Sequence, residues 1–333
     1  MPTLGLTLGK YAPLHQGHQL VIETALAEMN DVIVLVYDAP ETTPVPLTIR
    51  AQWVRDLYPA ARVIEVWDGP TATGDDPAIQ AAHNDYLLKR LQLRGITHFY
   101  SSEAYGAPTA RALNAVDRRV DMARAQVPIA ATTIRHNPYA HRAFLDPRVY
   151  RDLIQNVVFL GAPSTGKTTL AEALAREFNT VWMPEYGREY WEQHQVERRL
   201  TLAQLVEIAE GHLAREDHWL TKANGVLFTD TNALTTCVFS RYYHGAAHPR
   251  LAELAQRAAA RYDLVCLCET DIPYDDTWDR SGDANRVAFQ NQIVADLLQR
   301  KIPFFRIAGD LPARIAAVKR LLMRYPKYRN FFD

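Results

Sequence analysis

Val157-Val158-Phe159-Leu160-Gly161-Ala162-Pro163-Ser164-Thr165-Gly166-Lys167-Thr168-Thr169-Leu170 is an apolar run that turns into the pattern G-x-x-x-x-G-K-[ST]. A buried strand feeding a glycine-rich turn and then a helix aims backbone N–H groups and a helix N-terminus at one spot, where a triphosphate fits. The expected phosphate set is Gly161, Ser164, Thr165, Gly166, Lys167, Thr168 and Thr169. Lys167 would reach the β- and γ-phosphates of ATP and the Thr168 hydroxyl would ligate Mg²⁺. The motif falls near the midpoint of the chain, so a whole domain's worth of sequence lies on each side of it.

The chain has 333 residues, too many for one core of ordinary size. Hydrophobic residues make up 48% and charged residues 23%, enough apolar material for two buried sheets. The formal net charge of −1 argues against DNA or a membrane surface as a partner of the whole protein. Cys237, Cys266 and Cys268 read as reduced core thiols rather than a disulfide or metal site. No apolar run approaches membrane-spanning length and no signal pattern opens the chain, so a cytoplasmic protein is expected.

Ahead of the central motif, Leu4 to Leu8 reads as a short strand running into Gly9-Lys10-Tyr11-Ala12-Pro13-Leu14-His15-Gln16-Gly17-His18. Leu20, Val21, Ile22, Ala25, Leu26 and Met29 then recur at helical spacing. His15 and His18 therefore sit where a strand ends and a helix begins, a place that favours anions; Gly9 and Gly17 let backbone approach a ligand. A His-x-x-His metal pair has the same spacing, but no Cys or carboxylate cluster nearby completes a coordination sphere. Strands follow at 31–37, 62–67 and 96–100, the last leading into Ser101-Ser102-Glu103, with a short final strand expected at 119–122. Helices are expected at 48–57 and 79–94, and Ile129-Ala130-Ala131-Thr132-Thr133-Ile134-Arg135 leads into a helix or turn stopped by Pro138. Ligands of such a sheet bind at the carboxyl ends of its strands.

After the central motif, Pro184-Glu185-Tyr186-Gly187-Arg188 follows a brief strand at 180–183. Glu185 suits ribose hydroxyls or the proton of an attacking hydroxyl, with Tyr186 and Arg188 beside it; an i,i+3 surface ion pair would look the same. A long amphipathic helix over 201–222 precedes Gly225-Val226-Leu227-Phe228-Thr229-Asp230, a strand closing on a carboxylate placed to hold Mg²⁺. Strands at 262–268 and 303–307 complete a second sheet. The polar, turn-rich stretch between Glu269 and Asn285 reads as a lid, with Arg280 and Arg286 as candidate clamps on a transferring phosphoryl group.

G-K-Y-A-P-L-H-Q-G-H resembles the G-x-F-x-P-x-H-x-G-H signature of the nucleotidyltransferase superfamily, and I-A-A-T-T-I-R resembles its second signature, I-S-[GA]-T-x-I-R. With P-E-Y-G-R in a following P-loop half, the chain resembles the bifunctional nicotinamide mononucleotide adenylyltransferase and ribosylnicotinamide kinase family of the NadR type. The resemblance implies an α/β chain of two doubly wound parallel-sheet domains: a Rossmann-like nucleotidyltransferase over 1–150 and a P-loop nucleoside-kinase-like domain over 151–333. It implies that His15 and His18 hold ATP phosphates, that Thr132 and Arg135 close over them, and that Ser101 and Glu103 lie near the nucleotide. Its small-molecule partners would be ribosylnicotinamide, nicotinamide mononucleotide, ATP and NAD; a homo-oligomer is compatible with all of this.

Two departures stand out. Ala130 replaces the family's serine, and the lid has Trp278-Asp279-Arg280 where relatives carry W-x-x-D-G-x-R. The chain opens directly on its first strand, so the helix-turn-helix segment of some relatives, and with it DNA binding, is not expected. Trp53, Trp67, Tyr105, Trp182, Tyr186 and Trp191 are aromatic faces available to a pyridinium ring. A fused pantetheine-phosphate adenylyltransferase and coenzyme A kinase has the same two chemistries, and a nucleotide sensor with one degenerate domain is the alternative outside catalysis.

Overall fold

Apolar runs bounded by glycine and proline become parallel strands covered by helices, and they do so twice. The computed structural model describes residues 2–72, 76–197, 200–274 and 283–328. The chain divides into two compact units, Met1–Tyr150 and Arg151–Asp333.

The first unit runs β1 (Leu4–Gly9), α1 (Gln16–Glu28), β2 (Asp31–Tyr37), α2 (Leu47–Leu57), β3 (Arg62–Val66), α3 (Pro77–Asp85), β4 (His98–Ser101), α4 (Gly106–Leu113), β5 (Val116–Arg119) and α5 (Ala131–His136). α6 (Pro147–Asp152) spans the division. The sheet order is β3-β2-β1-β4-β5, all parallel. Leu6, Ile33, Leu35, Val66, Leu87 and Phe99 form its core.

The second unit runs β6 (Gln155–Leu160), α7 (Lys167–Glu177), β7 (Trp182–Met183), α8 (Tyr186–His194), α9 (Leu202–Leu220), β8 (Val226–Asp230), α10 (Ala233–His244), α11 (Pro249–Ala259), β9 (Leu264–Cys268), α12 (Asp283–Gln299), β10 (Phe305–Ile307) and α13 (Leu311–Arg324). Its parallel order is β10-β9-β6-β8-β7. Alternate residues of β6 face two separate cores: Val158 and Leu160 pack with α9, α10 and α11, while Val157 and Phe159 pack with α7 and α13. The two-domain α/β architecture expected from the sequence is the one observed. In each sheet the first strand of the unit is the central one, with later strands added on both sides, so the loop after it lies at a topological switch point.

Three local expectations are corrected. The helix expected at 79–94 is α3 followed by one wider turn, Tyr86–Arg90; Gln92 and Gly95 take positive φ and end it. The strand expected at 119–122 is β5, three residues earlier in register with β4, and Asp121 at φ +48° turns the chain away. α4 was not expected, because Gly106 and Pro108 look like loop punctuation. Both fall in its first turn, where a missing N–H costs nothing.

One buried cation ties the first unit's loops together. Arg50 of α2, 1% exposed, donates to the carbonyls of Lys10 (2.5 Å), Tyr37 (2.7 Å) and Val45 (3.0 Å) and pairs with Asp38. Arg50→Met should leave these carbonyls without a donor and cost about 3 to 5 kcal/mol, read as a lower denaturant midpoint of the first unit.

Candidate active sites

The loop after β1 delivers His15 and His18 to the start of α1. His15 is the N-cap: its Nδ1 accepts from the Gly17 N–H at 3.1 Å, and His18 Nδ1 accepts from the His15 N–H at 3.5 Å. Two imidazoles thus form the reciprocal capping arrangement usually made by a hydroxyl and a carboxamide. With both Nδ1 atoms accepting, the proton of each neutral ring sits on Nε2. The rings lie 3.8 Å apart. Burial, then the charges of Arg124 and Arg135, push the His15 pKa down to about 4. Burial and the neighbouring His15 hold His18 well below the usual range. Both rings are therefore neutral donors near neutral pH.

Gly17 is demanded by this geometry, since a Cβ there would lie 2.9 Å from His15 Cε1. Gly9 leaves room for the Tyr11 ring, which meets His18 edge-on. Arg135 of α5 donates to the Ala12 carbonyl at 2.7 Å and so is brought onto the histidine loop. Thr132 lies exposed in the first turn of α5, and Ala130 is its N-cap with no side-chain bond. Ser101 is buried at the end of β4, with Glu103 just beyond. Lys10 pairs with Glu41 and Thr42. Arg124, which the sequence reading passed over, acts on both rings and pairs with Glu103 at 3.2 Å.

In the second unit Gly161 (φ +146°) and Gly166 (φ +75°) bracket the loop after β6. A Cβ on Gly161 would sit 2.7 Å from the Cys268 carbonyl oxygen, so only glycine fits. Lys167, buried, donates to the Gly161 (3.0 Å) and Ala162 (2.9 Å) carbonyls. Buried Thr165 closes onto the Ala162 carbonyl, and Thr169 faces out, exposed. Arg286 of α12, buried, donates to the carbonyls of Ile272 and Ser164 (2.9 Å). Arg280 lies outside the described residues. Sequence reasoning missed two further groups on this loop. Arg314 of α13 donates to the Thr165 carbonyl at 2.6 Å and pairs with Asp271. Gln290 of α12 accepts from the Ala162 N–H at 2.8 Å and donates to Cys268. Neither has a local signature, being more than 100 residues from its partner in the loop.

Asp230 ends β8, beside β6. The Thr168 hydroxyl donates to its Oδ2 at 2.5 Å, and its buried Oδ1 has no hydrogen-bond partner. Burial, then repulsion from Glu185, raises the Asp230 pKa from 3.8 to about 6. Among the described residues no cluster of three His, Cys, Asp or Glu could hold a metal. A hydroxyl plus one carboxylate with an orphaned oxygen nonetheless suits Mg²⁺, which keeps waters and takes phosphate oxygens for its other ligands. Glu185 stands at the N-cap position of α8 without a side-chain cap bond, and its carboxylate lies 3.5 Å from the Arg188 guanidinium. Tyr186 is packed: Arg215 covers its ring at 4.0 Å and Gly211 leaves space for it. Of the other aromatics, Trp53 is buried, Trp67 is exposed, and Tyr105 donates to the Leu8 carbonyl. The three cysteines are free and buried. No helix among the described residues is long and apolar enough to cross a membrane.

The central strand, glycine turn, lysine and strand-end carboxylate of the second unit define a P-loop nucleotide-binding fold, and a protein-family profile described as AAA domain matches residues 156–314. The whole chain is similar to the "Trifunctional NAD biosynthesis/regulator protein NadR" of Escherichia coli strain K12, 28% identical over 328 residues, covering 92% of this chain and 79% of that protein. Two solved structures share the fold at 22% identity. A NadR protein in complex with NAD and AMP-PNP has a TM-score of 0.57, covering 98% of this chain and 96% of that one. A NadR protein in complex with NR has a TM-score of 0.58, covering 97% and 96%. The resemblance to NadR-type proteins therefore holds along nearly the whole chain, and NAD biosynthesis is the area of metabolism it points to.

The raised Asp230 pKa has a definite sign. Ionising the carboxylate costs the fold nothing below pH about 4 and the full amount above about 6, whereas Mg²⁺ requires the ionised form. A Mg²⁺ titration should therefore give an affinity that is flat above pH about 6 and falls about tenfold per unit below it. Asp230→Asn should lose that dependence and raise the melting temperature at pH 7.5.

Proposed function

We propose that the second unit phosphorylates ribosylnicotinamide at its 5′-hydroxyl with ATP, and that the first unit joins the resulting mononucleotide to the AMP part of ATP, giving NAD and pyrophosphate. One observation carries the reading: two phosphate-type loops, of different chemistry, each follow the central strand of its own sheet. It is supported by the relatives, one named for NAD biosynthesis and the solved ones holding NAD, AMP-PNP and NR.

In the kinase reaction, Lys167 exchanges its two carbonyl partners for β- and γ-phosphate oxygens, and the α7 N-terminus adds its dipole. Mg²⁺, held by Thr168 and Asp230, would neutralise phosphate charge. Glu185 accepts the proton of the 5′-hydroxyl as its oxygen bonds to the γ-phosphorus and the bond to ADP breaks. Arg188 steadies that carboxylate, and Arg286 stands at the loop's edge to meet the transferring group. In the adenylyl reaction the mononucleotide phosphate is itself the nucleophile, so no protein nucleophile is needed. Its oxygen bonds to the α-phosphorus while pyrophosphate leaves; the Nε2–H groups of His15 and His18, with Thr132 and Arg135, offset the charge.

The two reactions separate by mutation. Lys167→Ala should lower ADP formation from ribosylnicotinamide about 10²- to 10³-fold and leave pyrophosphate release from ATP and nicotinamide mononucleotide at the wild-type rate. His18→Ala should do the converse. Loss of both activities in either folded variant would sink the two-site assignment.

A further inference from the structure

We propose that Arg124 is an additional phosphate-binding residue of the histidine site, contacting the pyrophosphate portion of the nucleotide together with Arg135. The inference rests on the adenylyl-transfer reading of the first unit.

Arg124 sits in the loop between β5 and α5, a stretch with no regular structure whose shape is nonetheless tightly specified. The Asp121 carboxylate accepts from the N–H groups of Ala125 (2.7 Å), Gln126 (3.1 Å) and Val127 (2.9 Å), and the Arg124 N–H donates to the Asp121 carbonyl at 2.8 Å. Asp121 (φ +48°) and Arg124 (φ +51°) both take left-handed backbone without being glycine. Strain of that kind persists only where surrounding contacts over-determine it. The loop is also fixed in place. The Val120 N–H donates to the Ser101 carbonyl, and Val127 Cγ1 lies 3.9 Å from where a Cβ of Gly17 would be, so the loop packs at the start of α1.

The guanidinium this loop presents acts on both imidazoles, and on His15 more strongly than Arg135 does. Burial is the larger cause of the rings' neutrality, and the nearby cation adds to the potential that would draw an anion to the start of α1. Arg135 is anchored to the Ala12 carbonyl, whereas the Arg124 guanidinium pairs with the carboxylate of Glu103, about half exposed on both sides. Pairs so exposed are weak and exchange readily for a better anion. A phosphate, which matches the guanidinium fork in two bonds, is that better anion. The residue attracted no notice in the sequence because it lies six positions before Ala130, outside the second signature.

The test uses the full chain with ATP and nicotinamide mononucleotide, measuring pyrophosphate release and its inhibition by added inorganic pyrophosphate. Arg124→Ala and Arg124→Gln should each lower kcat/KM about 10- to 100-fold and weaken pyrophosphate inhibition by a similar factor. Arg124→Lys, which keeps the charge but not the fork, should recover only part of that inhibition. Melting temperature and ADP formation from ribosylnicotinamide should be unchanged in all three. A purely structural role would instead lower the melting temperature and leave pyrophosphate inhibition intact, and that result overturns the proposal. So does an alanine variant within twofold of wild type in both measurements. If wild-type protein releases no pyrophosphate, the adenylyl-transfer reading itself fails, which is a different outcome from wild-type release with an indifferent Arg124.

Discussion

Every peptide plane that turns its N–H toward a bound anion must turn its carbonyl away, and the carbonyl then needs a donor of its own. The loop after β6 meets that requirement with cations. Lys167 serves Gly161 and Ala162, Arg286 serves Ser164, and Arg314 serves Thr165. Three positive charges thus hold the loop open from behind while drawing the potential at its mouth toward anions. In the proposed kinase reaction Lys167 gives up its carbonyls when phosphate arrives, while Arg286 and Arg314 reach the loop from α12 and α13; all three are buried. Gln290 takes up the Ala162 N–H that points the other way. The whole second unit, from the loop to the last helix, is arranged around keeping these carbonyls satisfied.

The first unit also satisfies its loop carbonyls with cations, but caps its helix with neutral groups. Its loop after β1 is pinned by Arg50 on the Lys10 carbonyl and by Arg135 on the Ala12 carbonyl, and the α1 N-terminus is capped by rings instead of being left open. Using Nδ1 for the cap leaves the proton of each neutral ring on Nε2. Burial removes the option of protonation, so the site's donors keep one charge state across the physiological range. Positive charge is then supplied by arginine, whose ionisation does not change.

What could be read from the sequence was what is local. A glycine turn between strand and helix, two histidines three apart, and a carboxylate at a strand end all carry their meaning within ten residues. So did the alternation of apolar runs with helical spacing, which yields two wound sheets. Lys10 shows what local reading does not give: it lies inside the first signature, and its side chain pairs with the carboxylate and hydroxyl of Glu41 and Thr42. Arg314, Gln290 and Arg50 are invisible for the complementary reason. Each is an ordinary helix residue until the sheet order brings a distant loop against it. Helix α4 was hidden by Pro108, whose cost vanishes in a first turn, and the 119–122 strand was misplaced because register, not β-propensity, sets where β5 pairs with β4.

Ala130 illustrates how a missing side chain shifts a burden from one interaction to another. α5 has six residues, starts without a side-chain cap and stops just before Pro138. A hydroxyl at the N-cap would stabilise it by about 0.5 to 2 kcal/mol. A helix this short has little propensity of its own to draw on. Its attachment rests instead on buried Ile134 and on the Arg135 bond to Ala12. The same guanidinium that holds the helix to the histidine loop is the one proposed for phosphate; one Nη1–H goes to Ala12, and its other N–H groups can meet an anion without releasing the helix. With no hydroxyl at its N-cap, α5 depends the more on Ile134 and on the N–H that Arg135 gives to Ala12.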